Sequence, residues 1–452
     1  MTDLGTRTEP ALRRAAPALL GYAAVRALGL LALALWSAAR DKSAYTLLTA
    51  RWDALWYTRV AELGYGYEVR LPNGDVHSNL AFFPLLPWLE RLLSATTPLS
   101  YADAGFVISL LASLTAAWGV FAVADQVYGR RAGVCAVLLW AVLPVGIVQS
   151  MAYSESLFTA LAAWSLYAVL TGRWVTAGLL ALLAGLTRPV GLAVVAAVWV
   201  AGIAAFLRER GDRASSGSAT AADEEAASAV RAQGAPHADS FVRNRSAAGE
   251  CGAQATGHAP ATGGPSPAGR TPDAGPGPTR APSPGTALVR RALGMALAPL
   301  GAAAYVLWVG HRTGKGPLGY LDVQAGWRNG FDGGYAFARF VADKFTSFPS
   351  APAGVGLIVG VGLVVWLYVV CARQGQPLPL LVYAGVVTAL ALCASSYFGS
   401  KPRLLMPAFP LLFPLALALA RARTRRSAAI VTLVATASAL YGAFWLNGSG
   451  PP

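Results

Sequence analysis

The sequence predicts an all-α integral membrane protein that crosses the bilayer many times. Of its 452 residues, 55% are hydrophobic and only 13% are charged, and the mean hydropathy is +0.49. A soluble globular chain carries about 45–50% apolar and about 25% charged residues, so this chain has too little charge to cover the surface of a large soluble enzyme. Long apolar stretches also recur along most of the sequence, as expected of membrane-spanning helices.

Eleven apolar stretches are candidate spans, which predicts a bundle of about 9–11 transmembrane helices. A span needs about 20 residues, and the two stretches that meet at Thr187-Arg188-Pro189 are short. The segment 80–95 is ambiguous and fits a re-entrant or interfacial helix. The candidates lie at 17–39, 103–124, 132–151, 154–171, 174–187, 190–207, 291–310, 353–371, 378–397, 403–420 and 427–446.

The arginines in short loops predict how the spans are oriented. Arg7, Arg13 and Arg14 precede the first span, which favours a cytoplasmic N-terminus. With alternating spans, most of the net charge of +14 falls on the cytoplasmic side, so the charge is topological and does not indicate an acidic partner. Because no RNP, zinc-finger or helix-turn-helix pattern is present, a nucleic-acid partner is not expected.

The predicted organisation is two membrane blocks joined by a linker. The N-terminal block, 1–207, contains a long first external loop at 40–102, and the C-terminal block, 288–452, contains a second at 311–352. The stretch 208–287 is rich in Ala, Gly, Pro and Ser with hardly an aromatic residue, so we expect a disordered cytoplasmic linker. Long external loops that mix aromatics, charges and glycines are candidate functional regions.

The most distinctive motif, RWDALWY, begins at Arg51 just beyond the first span. On a helix Trp52 and Trp56 are neighbours, and Tyr57 is four residues beyond Asp53, which predicts an aromatic strip in the headgroup region with a projecting carboxylate. The alternative is an interfacial helix whose Asp53 only pairs with Arg51 or Arg59.

Two further motifs place ionisable residues between apolar stretches. Glu155 in YSESLF would face a cavity or a partner, or it would belong to a helix N-terminus capped by Ser154. Arg188 in LTRPVG interrupts a long apolar stretch, so a phosphate or carboxylate partner is expected.

Late in the chain, Lys401 and Arg403 in KPRLLMP put two cations at the mouth of a span, where they would bind an anion or only anchor the interface. Histidine and cysteine spacing indicates no metal site. The glycines Gly354, Gly356, Gly360 and Gly362 are interpreted as a helix-packing pattern rather than a nucleotide loop.

In this order, RWDALWY, AFFPLLP, YSESLF, LTRPVG and PRLLMPAFP resemble the PIG-V-like mannosyltransferases. These are related to GPI mannosyltransferase II and belong to the GT-C glycosyltransferase superfamily. The resemblance covers roughly 15–207 and 290–446. It implies a GT-C-like bundle that transfers mannose from a polyprenyl- or dolichyl-phosphate donor on the non-cytoplasmic face, with inversion at the anomeric carbon.

The resemblance also implies roles for single residues. Asp53, in the first external loop, would be the catalytic base, and Arg188, Arg403 and Lys401 are assigned to the donor phosphate. Supporting or substrate-binding roles are assigned to Arg51, Trp52, Trp56, Tyr57 and Glu155. No cofactor or metal is required, the partners are the lipid-phosphate sugar and an unspecified acceptor, and the location is the cell membrane.

Two other classes compete with the enzyme. A transporter or lipid flippase would use Asp53, Glu155 and Arg188 to line a path, and an assembly subunit would use RWDALWY only as an anchor. The alternatives differ in whether the external loops bring Asp53, Glu155 and Arg188 together over one cavity.

Overall fold

The computed structural model describes residues 10–233, 284–395 and 397–448, and it confirms the all-α class. Within these residues the strands are confined to two short antiparallel pairs, and every other regular element is helical. The first half of the chain contains α1 (Ala11–Ala38), α2 (Ala44–Thr49), α3 (Asp53–Leu63), β1 (Glu68–Arg70), β2 (Val76–Ser78), α4 (Leu85–Thr96), α5 (Tyr101–Tyr128), α6 (Arg130–Ala141), α7 (Ser154–Leu170), α8 (Trp174–Gly185) and α9 (Leu192–Gln233).

The structure describes further elements from residue 284 onward. The elements are α10 (Pro284–Leu297), α11 (Leu300–Thr313), α12 (Gly319–Gly326), β3 (Gly330–Phe331), α13 (Tyr335–Asp343), α14 (Ala351–Arg373), α15 (Leu378–Cys393), β4 (Ala394–Ser395), α16 (Lys401–Leu405), α17 (Phe413–Arg421) and α18 (Thr424–Leu446). The hairpin of β1 and β2 lies in the first long loop, and β3 of the second long loop pairs with β4.

The described helices confirm a multi-pass membrane protein. Six segments are long and apolar enough to cross a bilayer, and the helices at Phe398–Leu405 and Phe409–Arg421, bent by 75°, add a seventh if they form one broken span. Shorter apolar helices lie at Ser154–Leu170, Trp174–Gly185 and Leu378–Cys393. The long segments are Ala11–Ala38, Tyr101–Tyr128, Pro189–Arg213, Gly285–Thr313, Phe348–Arg373 and Thr424–Leu446.

One predicted span, 132–151, is not a continuous helix. Helix α6 ends at Ala141, and a separate 3₁₀ turn follows at Gly146–Ser150. Pro144 explains the break, since proline lacks the backbone N–H that a helix needs and disfavours helical geometry in the residue before it.

The described part of the predicted linker is helical. Helix α9 continues to Gln233, so residues 208–233 are helical instead of disordered, which agrees with the alanine-rich composition of this stretch. The expectation for 234–283 falls outside the described residues.

A buried cation inside the first span has a structural use. The Arg26 guanidinium donates to the carbonyl oxygens of Ala141 and Gly146, at the C-terminal end of α6 and the start of the following turn. The last carbonyls of a helix have no partner within it and attract positive charge. Arg26 therefore supplies hydrogen-bond donors to carbonyl groups at the end of α6, where Pro144 interrupts the helix.

The packing of α8 against α10 and α11 depends on glycine. A Cβ on Gly178 would lie 2.2 Å from the Gly294 carbonyl oxygen, and a Cβ on Gly301 would lie 1.9 Å from that of Leu182. Both distances are shorter than any real contact, so the helices meet backbone to backbone.

The glycines predicted to pack are different ones. A Cβ on Gly356, Gly360 or Gly362 would meet no atom within 4 Å in the part of the chain that the structure describes, while Gly354 packs against Phe345. Glycine spacing alone did not show which of the four glycines packs, because it does not show which face of α14 meets a neighbour.

We expect Gly178→Val to destabilise the chain by about 1–3 kcal/mol, the usual cost of overpacking a tight contact. Thermal unfolding in detergent measures the effect, and Gly356→Val, an exposed glycine on α14, is the matched control. Equal shifts of Tm in the two variants would contradict the assigned contact.

Candidate active site

Four separate segments bring two carboxylates and two guanidinium groups together. The Arg403 Nη1 lies 2.9 Å from Asp53 Oδ2, and its Nε lies 3.2 Å from Glu155 Oε1. The Arg188 Nη1 lies 2.6 Å from the same Glu155 oxygen. We call Asp53, Glu155, Arg188 and Arg403 the ion-pair cluster. Its formal charge is zero.

The two carboxylates differ in access to solvent. The side chain of Asp53 is 24% exposed, whereas that of Glu155 is 1% exposed. Glu155 Oε1 contacts both arginines, but the angles fall short of aligned hydrogen bonds, and Oε2 has no hydrogen-bond partner among the described residues. Asp53 is therefore accessible to a molecule from solvent, while Glu155 is buried against the two arginines.

The backbone before Asp53 is strained. Trp52 has φ 50°, a conformation that bulky residues rarely adopt, and Asp53 follows it as the first residue of α3. A carboxylate in the first turn is favoured by the helix dipole. The Arg51 guanidinium lies 4.3 Å from the Trp52 ring centroid and Arg59 lies over Tyr67, so the structure shows neither predicted pairing of Asp53, with Arg51 or with Arg59.

Ser154 connects α3 to the cluster. Its hydroxyl lies 2.6 Å from the Tyr57 hydroxyl and accepts a hydrogen bond of 3.2 Å from Arg188 Nη1. Ser154 is the first residue of α7, not its N-cap, so the expected capping role is not seen. Burial raises the pKa of Tyr57 well above its ordinary value, which keeps the hydroxyl protonated as a hydrogen-bonding group.

Arg188 has the carboxylate partner that its apolar surroundings predicted. It lies in the turn between α8 and α9, where the Leu186 carbonyl accepts a hydrogen bond from the Leu85 N–H and so joins LTRPVG to AFFPLLP. Burial acts to lower the pKa of Arg188, but the negative charges of Glu155 and Asp53 together with the Tyr57 hydroxyl outweigh it, and the pKa is raised. Arg188 therefore stays cationic.

Lys401 is assigned to the donor phosphate with the arginines, yet it lies apart from the cluster. Its ammonium group donates to the backbone carbonyls of Ala391, at 2.8 Å, and Ala394, at 2.8 Å, and it faces the rings of Phe337 and Phe398. This is the geometry of a cation that closes the C-terminal end of α15.

The two long loops meet through aromatic side chains beside α3. Trp56 stacks on Phe82, with ring centroids 5.6 Å apart, and meets Trp327 of the second loop edge-on at 4.9 Å. Trp327 also stacks on His77 and donates its indole N–H to the Ser78 carbonyl oxygen at 3.0 Å. Sequence reasoning missed Phe82 and Trp327. The aromatic and glycine residues around Trp327 in an otherwise polar loop were the available signal.

Among the described residues, no group of three or more His, Cys, Asp or Glu side chains is arranged to hold a metal ion.

Comparisons with known proteins support the motif-based resemblance. Residues 30–209 match the family model described as Mannosyltransferase (PIG-V). The chain is 33% identical over 155 residues to GPI alpha-1,6-mannosyltransferase 2 of Mus musculus, an alignment that covers 32% of this chain and 29% of the mouse protein. The chain thus spans less than a third of the curated relative that it matches. No solved structure matches it. Both matches are to mannosyltransferases, and they confirm the resemblance of the matched segment to the PIG-V-like mannosyltransferases.

Proposed function

Because residues 30–209 are PIG-V-like, we propose that the chain is a membrane mannosyltransferase with Asp53 as its general base. The donor is a polyprenyl- or dolichyl-phosphate-linked mannose, and the acceptor is a hydroxyl group on the non-cytoplasmic side of the cell membrane. The reaction inverts the anomeric carbon and needs no cofactor. Asp53, Glu155 and Arg188 all belong to the matched segment, and Arg403 joins them from the other half of the chain.

The difference in exposure between the two carboxylates carries the proposal. A general base must come within hydrogen-bond reach of the proton that it removes. Asp53 is partly exposed at the start of α3, whereas Glu155 is buried beneath Arg403. Because Asp53 is the more exposed of the two, we assign the contact with the acceptor to Asp53, and Glu155 is a positioning residue that holds both arginines.

The net charge of the cluster connects the removal of the acceptor proton with the departure of the lipid phosphate. Asp53 takes the proton of the acceptor hydroxyl, the acceptor oxygen attacks the anomeric carbon, and the bond from that carbon to the phosphate oxygen breaks. The electron pair leaves with the lipid phosphate. Protonation of Asp53 changes the cluster from neutral to a net charge of +1 at the moment when negative charge grows on the phosphate.

The cations assigned to the departing phosphate are therefore Arg188 and Arg403. Guanidinium groups offer a planar pair of donors to phosphate oxygens, and their effect is larger in a site shielded from water. Lys401, which donates to backbone carbonyls, is not needed for this step. The aromatic residues Trp56 and Trp327 beside α3 supply flat surfaces suited to a sugar ring.

The function is tested with sealed membrane vesicles that contain the full chain and radiolabelled polyprenyl-phosphate mannose. We expect label to move from the donor to a new product, and only when donor and acceptor reach the non-cytoplasmic face. Vesicles of both orientations and vesicles without the chain are the controls. Label that crosses the bilayer while still attached to the donor lipid would instead identify a transporter and refute the proposal.

A further inference from the structure

A cationic groove lies beside the RWDALWY turn, where the C-terminal ends of α1 and α18 meet. Its volume is about 570 Å³, and none of the described residues that line it is acidic. Three cations, Arg40, Lys42 and Arg51, line it together with Phe444 and Trp445. Its lining carries three positive charges, whereas the ion-pair cluster is neutral.

The helix ends explain one of the three cations. Lys42 donates to the Asn447 backbone oxygen at 2.6 Å, next to the last residue of α18, as expected of a cation at a helix C-terminus. Among the described residues, the side chains of Arg40 and Arg51 donate to no helix-end carbonyl, and no carboxylate pairs with either. Asp41, between Arg40 and Lys42 in the chain, does not line the groove.

The chemistry of the lining indicates a ligand with an anionic head and an apolar tail. Arginine recognises phosphate through two parallel N–H donors. Stacking of Arg51 on Trp52 limits the motion of one such donor pair. Phe444 belongs to a membrane-length helix and is 58% exposed, so an apolar chain can lie against it where the helix meets the headgroup region.

We propose that this groove binds the phosphate group of a membrane lipid. The phosphate can belong to an isoprenoid lipid or to a phospholipid, and it is not the donor phosphate assigned to Arg188 and Arg403. Arg51 is two residues before Asp53, so their Cα atoms are at most about 7 Å apart, and the groove lies beside the cluster.

Titration calorimetry on the purified full chain in a non-ionic detergent tests the groove without turnover. The probes are undecaprenyl phosphate, neutral undecaprenol, phosphatidylglycerol and inorganic phosphate. We expect undecaprenyl phosphate to bind at least tenfold more tightly than undecaprenol and inorganic phosphate, with an affinity that falls as salt is added. Matching affinity for phosphatidylglycerol would identify a phospholipid site, and weaker affinity would identify an isoprenoid-phosphate site; both support the groove.

Arg40→Glu is the diagnostic variant, because Arg40 is exposed and makes no contact that the fold needs. Arg40→Glu should lower the affinity for undecaprenyl phosphate at least tenfold. Arg40→Lys, which keeps the positive charge, should bind nearly as tightly as the unaltered chain. Arg70→Glu, an exposed charge reversal on β1 of the same loop, is the control and should bind as the unaltered chain does. Unchanged binding by Arg40→Glu, or equal affinity for the phosphate and the neutral alcohol, would overturn the proposal.

The result is independent of the reaction. If the chain binds undecaprenyl phosphate through Arg40 but transfers no mannose, the proposed function is refuted and the proposed binding groove stands. If the unaltered chain transfers mannose and the Arg40→Glu variant binds undecaprenyl phosphate normally, the groove is refuted and the proposed function stands.

Discussion

Replacing Asp53 with asparagine is expected to lower mannosyl transfer by about 10²–10⁴-fold, the usual contribution of general-base catalysis. The amide has nearly the shape of the carboxylate and still offers an oxygen to Arg403 Nη1, which lies 2.9 Å from the carboxylate. It cannot take a proton from the acceptor hydroxyl. Because Asp53 is partly exposed, the change leaves less charge uncompensated than a deletion in the buried part of the cluster.

Initial rates with radiolabelled polyprenyl-phosphate mannose measure this effect, and thermal unfolding of the same sample shows that the chain is folded. Glu62→Gln is the matched control, since Glu62 is an exposed carboxylate on the same helix, α3. We expect the control to retain its rate. Turnover by Asp53→Asn within a few-fold of the unaltered chain would remove Asp53 from the role of base.

The sequence singled out the four residues of the ion-pair cluster, but not the contacts among them. Asp53, Glu155 and Arg188 stand in short polar motifs at the ends of apolar stretches, and helix ends at one side of a bundle are brought together by the fold. The bridging position of Arg403 was not predictable, because it depends on a 75° bend between two helices in the other half of the chain. Lys401, two residues earlier, is directed to the end of α15 instead.

The membrane spans were predicted from apolar length, and the errors have one physical cause. Hydropathy measures whether a stretch can lie in the bilayer, but it does not show where the helix stops within the stretch. The stretch 132–151 is mostly apolar, yet its helix ends at Ala141 because Pro144 interrupts it, and Arg26 donates hydrogen bonds to the carbonyl oxygens at this helix end. The hydrogen bonds from Arg26 to this helix end join residues far apart in the chain, so no local pattern in the sequence predicts them.

Glu155→Gln is expected to destabilise the chain by about 3–5 kcal/mol, the cost of removing one partner from a buried ion pair. Glu155 is 1% exposed and contacts both Arg188 and Arg403, so its loss leaves a net positive charge in a buried site. We expect a lower Tm and a lower folded yield in detergent. Glu90→Gln is the control, because burial raises the pKa of Glu90 well above its usual range and glutamine resembles the protonated acid.

A second substitution separates the structural role of Glu155 from the catalytic role that we propose for the arginines. Arg188→Gln added to Glu155→Gln restores the charge balance, so the pair should cost less stability than the sum of the two single changes. Mannosyl transfer should remain low in the double variant, since one of the two cations assigned to the departing phosphate is missing. If Glu155→Gln lowers Tm no more than Glu90→Gln does, the charge of Glu155 is not what holds the arginines beside Asp53. If the double variant regains both stability and transfer, Arg188 only balances Glu155, and the phosphate must be stabilised by Arg403 without it.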